Sequence, residues 1–164
     1  MSESGLDFLT LATAAKAIRS KEVSPLDLTR FSLDKISSLN PALNAFLTVS
    51  ADEALATAKR AEQEIQNGNY IGPMHGIPYS VKDIFATQGI RTTNGSSIFH
   101  DNIPVSNSTA VDNLNNAGGI LMGKNHCLEF ACGDHHSLYG DVHNPWNLDH
   151  TPGGSSSGSA SSVA

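Results

Sequence analysis

Two stretches far apart in the sequence hold residue types that together could cleave an acyl bond. The first, Gly76-Ile77-Pro78-Tyr79-Ser80-Val81-Lys82-Asp83, sets a lysine inside a short alternating segment, and the second, Thr151-Pro152-Gly153-Gly154-Ser155-Ser156-Ser157-Gly158-Ser159-Ala160, is a run of glycines and serines. A serine hydroxyl needs a base before it can attack a carbonyl, and a lysine kept neutral by burial can take that proton directly or through an intervening hydroxyl. The consecutive glycines Gly153 and Gly154 would let backbone N–H groups come close to a developing oxyanion. Each stretch also has an unreactive reading, since a glycine-serine tract is ordinarily a flexible linker and an isolated lysine a solvated charge.

Two other groupings carry less. Gly118-Gly119-Ile120-Leu121-Met122-Gly123-Lys124-Asn125 nearly matches the phosphate loop GxxxxGK[ST]. Its last position is an asparagine with no hydroxyl for Mg²⁺, and its middle is apolar like a strand rather than a loop. Five of the 7 histidines, His126, His135, His136, His143 and His150, cluster with Cys127 and Cys132. The Cys-x4-Cys spacing followed by adjacent histidines fits no common zinc pattern, so loop histidines are the default.

The elements that must position these residues read as follows. Leu9, Ala12, Ala15 and Ile18 recur at helical spacing, and Ser24-Pro25 supplies a cap and a first-turn proline for a second helix that Asn40-Pro41 should end. Ser50 with Glu53 forms a capping box before a helix over 54–65, closed by Asn67-Gly68. A tight turn at 72–78 leads into a strand over 77–84, residues 108–117 form a short helix, and Ile120-Leu121-Met122 reads as a strand. This order predicts an α/β fold, with residues 1–70 a helical N-terminal section of the same domain as residues 71–164.

Composition bounds the partners. The chain has 164 residues, 39% hydrophobic and 6% aromatic, so one core resting on Ala, Leu, Ile and Val is expected. With 10 Lys and Arg against 16 Asp and Glu the formal charge is -6, which disfavours direct nucleic-acid binding by this chain. Met1 to Leu11 has neither the basic start nor the apolar run of a secretory signal, and no stretch approaches the ~20 apolar residues of a membrane helix. A cytoplasmic location is therefore expected. In such a compartment Cys127 and Cys132 should be buried small hydrophobes rather than a disulfide.

Taken in chain order, the motifs resemble the amidase signature family of Ser-Ser-Lys hydrolases. They are Gly72-Pro73-Met74-His75-Gly76-Ile77-Pro78, Val81-Lys82-Asp83, Arg91-Thr92-Thr93, Ala117-Gly118-Gly119-Ile120-Leu121-Met122-Gly123-Lys124, Glu129-Phe130-Ala131, Tyr139-Gly140, Asn144-Pro145-Trp146-Asn147-Leu148-Asp149 and the Pro152-Gly153-Gly154-Ser155-Ser156 block. The resemblance runs over about residues 20–164. It implies a mixed β-sheet flanked by helices, hydrolysis of a carboxamide through an acyl-enzyme, and no metal or organic cofactor. By position it makes Lys82 the general base, Ser155 the bridging serine that follows a cis peptide bond, and Gly153 and Gly154 the backbone beside the substrate. The acylated serine of the family lies in the next glycine-rich stretch, beyond Ala164, so the resemblance implies an N-terminal portion of a longer amidase and an inactive fragment.

Three positions depart from the family pattern: Ser157 stands where glycine is usual, His126 where asparagine is common, and the segment from Phe130 to Tyr139 is shorter than in the A subunits of tRNA-dependent amidotransferases. An amidase acting on a small-molecule amide is thus the first expectation. The alternative is the A subunit of a glutamyl-tRNA amidotransferase, which releases ammonia from glutamine and works with partner subunits. A rival of another class is a non-catalytic metal-binding module built on the histidine and cysteine cluster.

Overall fold

The computed structural model describes Leu6 and residues 9–164. Residues 1–5, 7 and 8 of the expected N-terminal helical section lie outside the described residues. Among the described residues, five α-helices and three strands follow one another as α1 (Leu11–Arg19), α2 (Pro25–Leu43), β1 (Phe46–Val49), α3 (Ala51–Gln66), β2 (Pro78–Lys82), α4 (Thr109–Asn116), β3 (Ile120–Asn125) and α5 (Ser157–Val163). The strands form a mixed sheet in the order β1-β3-β2. β1 runs antiparallel to β3 with Phe46 opposite Asn125 and Val49 opposite Gly123, broken by an irregularity between Phe46 and Thr48. β3 runs alongside β2 in the same direction: Ile120 N–H donates to Ile77 O near their starts, and Asp83 N–H donates to Asn125 O at their ends, each at 2.9 Å.

The chain divides into two compact units. The first holds the residues up to Lys35 with Ser50–Tyr79 and Asp112–Met122. Its core is Ala14, Ala15, Ala17, Ile18, Val23, Leu28, Ile65 and Ile77, largely aliphatic as composition predicts. α3 turns Ala54, Ala58, Ala61 and Ile65 inward as one stripe, and such small side chains let neighbouring backbones come close. The second unit holds Ile36–Val49, Ser80–Val111 and Gly123–Ala164, and it buries polar groups: Asp83, Thr92, Thr93, Lys124, Asn125 and His126.

Several local expectations are corrected. Pro41 does not end α2 but lies inside it. The last turn survives the missing N–H because Asn40 accepts from Phe46 N–H at 2.8 Å and donates to Phe46 O at 3.1 Å, and Asn44 N–H reaches Asn40 O at 2.8 Å. Ser50 precedes α3 without capping it, because its hydroxyl donates to Leu121 O at 3.3 Å instead. Cys127 is buried as expected, whereas Cys132 is exposed, since it lies just after the one-turn helix Glu129–Ala131 where the chain runs along the surface. Among the described residues no helix is long and apolar enough to cross a membrane.

Candidate active site

Lys82, the last residue of β2, and Asp83, the residue just after it, send their side chains to different partners. Side chains alternate along a strand, so Lys82 and Asp83 diverge. Lys82 Nζ donates to Ser155 Oγ at 2.5 Å. Asp83 is fully buried, where its Oδ2 accepts from Thr93 N–H at 2.9 Å and Thr93 Oγ1–H at 2.6 Å, and its Oδ1 faces Lys124 Nζ at 3.3 Å.

Lys124 is equally buried, and its ammonium also donates to Phe85 O at 2.7 Å and Thr92 Oγ1 at 2.5 Å. Burial holds its pKa below the usual lysine value, against the opposing pull of Asp83. This ion pair pins the end of β2 to β3, and so fixes where Lys82 leaves the strand. The same contacts dispose of the phosphate-loop reading, because the glycine-lysine segment is strand β3 and its lysine is paired inside the protein.

Ser155 lies on a turn whose backbone takes unusual conformations: Gly153 has φ +86° and the Gly154–Ser155 peptide is cis. The tract expected on composition to be a linker is ordered, and α5 begins two residues later. Three hydrogen bonds tie it to the segment 126–135: Leu128 N–H to Ser155 O at 3.2 Å, Gly158 N–H to His126 O at 2.9 Å, and a contact between Ser157 Oγ and His135 Nε2 at 2.8 Å. Gly158 must be glycine for this approach, since a Cβ there would lie 2.2 Å from Ala45 O and 2.6 Å from His126 N. Gly153 and Gly154 line a cavity of about 690 Å³ together with Leu128, His135, Asp141 and His150. The Gly153 N–H donates to Thr151 Oγ1 at 3.1 Å, within its own turn.

The histidines do not assemble around a metal. Among the described residues no three His, Cys, Asp or Glu side chains gather to hold an ion. Their ring nitrogens meet other groups: His126 Nδ1 lies 3.2 Å from Asn44 O, His143 Nδ1 lies 2.9 Å from Leu148 O, and His136 Nδ1 accepts from Leu138 N–H at 3.1 Å. His126 is wholly buried, and burial, with the nearby His135, pushes its pKa down to about 4 despite the Asn44 carbonyl.

A protein-family model described as Amidase matches residues 27–164. The chain belongs to the amidase signature family. Over 157 residues it is 43% identical to the A subunit of the glutamyl-tRNA(Gln) amidotransferase of Marinomonas sp. (strain MWYL1), an alignment that covers 94% of this chain and 32% of that protein. Among solved structures, the native peptide amidase from Stenotrophomonas maltophilia superposes with a TM-score of 0.88 at 30% identity, over 96% of this chain and 34% of that one. A bacterial aryl acylamidase of the amidase signature enzymes superposes with a TM-score of 0.90 at 28% identity, over 96% and 33%. The chain therefore spans about a third of the length of the relatives it matches. The mixed sheet flanked by helices is the corresponding part of the amidase signature fold.

The sequence pairs Lys82 with Ser155 only through the family resemblance, and the structure brings the two together. Sequence reasoning gave no part to the Asp83–Lys124 pair or to the His135–Ser157 contact. The first had a usable signal, a carboxylate next to the lysine in a strand, where alternation sends it the opposite way.

Proposed function

We propose that this chain carries the proton-transfer half of an amide-hydrolysing site, with Lys82 as general base and Ser155 as the relay to a serine that becomes acylated and stands outside residues 1–164. The observation that supports it best is the 2.5 Å contact between Lys82 Nζ and Ser155 Oγ, a donor–acceptor separation across which a proton can pass directly. In this reading the unprotonated lysine takes the Ser155 proton while the Ser155 oxygen takes that of the attacking serine. The serine oxygen bonds to the amide carbon, the tetrahedral intermediate collapses with cleavage of the C–N bond, and the proton returns through Ser155 to the leaving amine. Water then hydrolyses the ester by the same route in reverse. Gly153 and Gly154 form the backbone wall beside the reacting carbonyl, and the carboxamide occupies the adjoining cavity.

The substrate in this reading is a small-molecule carboxamide. A second reading, supported by the 43% identity to the A subunit of an amidotransferase, keeps the same residues and makes the reaction the release of ammonia from glutamine for partner subunits. Assaying simple amides and glutamine with and without such partners separates the two. The central test uses the gene product that includes the acylated serine. Lys82→Ala should lower kcat on the order of 10²- to 10⁴-fold and Ser155→Ala substantially, both with little change in KM. The 164-residue chain alone should not turn over. Undiminished kcat in Lys82→Ala, or a fluorophosphonate that abolishes turnover by labelling a serine within residues 1–164, overturns the assignment.

A further inference from the structure

Ser157, two residues past Ser155 in the glycine-serine block, has a fully buried side chain. A buried hydroxyl requires a partner, and His135 supplies one: Nε2 lies 2.8 Å from Ser157 Oγ. The other ring nitrogen, Nδ1, lies 3.3 Å from the largely exposed Asp141 carboxylate. A carboxylate on Nδ1 favours the tautomer with the proton there, which leaves Nε2 to accept from the Ser157 hydroxyl. The order of contacts is that of a Ser-His-Asp nucleophile, but Ser157 exposes no surface through which a carbonyl could approach its oxygen. The arrangement acts instead as a tether.

What it tethers is the turn that carries Ser155. Thr151, Gly153, Gly154 and Ser156 are exposed, and the turn is held to the segment 126–135 by two backbone hydrogen bonds and this single side-chain contact. We propose that His135 is a positioning residue for Ser155, fixing through Ser157 the turn that presents the Ser155 hydroxyl to Lys82. The proposal rests on the roles of Lys82 and Ser155 given above.

The test uses the complete amide-hydrolysing protein. His135→Ala and Ser157→Ala should each lower kcat roughly fivefold with KM within about twofold, as expected for one lost orienting hydrogen bond. The double variant should be no slower than either single one, because both remove the same contact. His135→Gln, whose amide can still meet the Ser157 hydroxyl, should recover most of the loss. Should His135→Ala fail to fold, Ser157→Gly carries the same kcat test without adding bulk. Lowered melting temperature with unchanged kcat, or losses that multiply in the double variant, overturns the proposal. Lys82→Ala in the same series separates the two levels. If it turns over normally, the underlying reading has failed; if it is inactive while the His135 and Ser157 variants run at full speed, only the positioning role has.

Discussion

Acidification should unfold this protein in part through one imidazole. His126 is wholly buried, its Nδ1 within 3.2 Å of Asn44 O, its Nε2 without a hydrogen-bond partner, and its ring centroid 4.9 Å from that of His135. Protonation would place a charge in that dry setting, and burial accordingly pushes its pKa down to about 4 from the ordinary 6.5. Between those values the unfolded chain binds the proton and the folded chain does not, so stability rises with pH through the window and is lost as pH falls through it. The displacement is worth about 3 kcal/mol, a large share of the roughly 5–15 kcal/mol that holds a typical domain together. Carboxylates and other histidines titrate in the same range, so the comparison needed is with His126→Asn, which cannot titrate. Urea unfolding at pH 7 and pH 4 should show the wild type losing about 3 kcal/mol more than the variant over that interval. Equal losses in the two proteins would refute the argument.

Other expectations follow from burial. Lys124→Met strands the Asp83 carboxylate and should lower the unfolding free energy by about 3–5 kcal/mol, read from the denaturation midpoint at unchanged slope; a change under about 1 kcal/mol would mean that the pair is solvated. Gly158→Ala drives a methyl group into the Ala45 and His126 backbones and should cost about 1–3 kcal/mol or more, with weaker hydrogen-exchange protection at the start of α5. A thiol reagent at pH 8 should label exposed Cys132 rapidly and leave Cys127 unmodified in the folded protein, because burial pushes the Cys127 thiol up to about 11; peptide mapping reads both.

The helices were legible where apolar residues recur at helical spacing, as in α1, α3 and α4. The errors arose where one side chain had a distant alternative. Asn40 holds both backbone groups of Phe46, so the helix tolerates Pro41, and Ser50 turns to Leu121 O rather than to its own helix. Neither choice can be read from neighbours in sequence. For the site, residue chemistry alone raised Lys82 and the serine block as candidates, but their pairing came from the motif order. Composition alone read the block as a linker, because nothing local reveals that Leu128, His126 and His135 will anchor it. The histidine cluster raised a rival that its spacing already disfavoured. Its density raised a metal as a candidate, whereas His126, His136 and His143 each turn one ring nitrogen to a backbone group and His135 meets Ser157 and Asp141.

The divergence of Lys82 and Asp83 bears on which insertions and deletions the gene can tolerate. Removing or adding one residue between Ile77 and Lys82 would reverse the facing of every later residue in the strand. The lysine amine would be sent to the place that Lys124 already occupies, and the aspartate would meet Ser155. Both errors would arise from a single codon, one placing like charges together in the interior and the other leaving the serine without a basic partner. Length variation among relatives should therefore be absent from this strand and collect elsewhere.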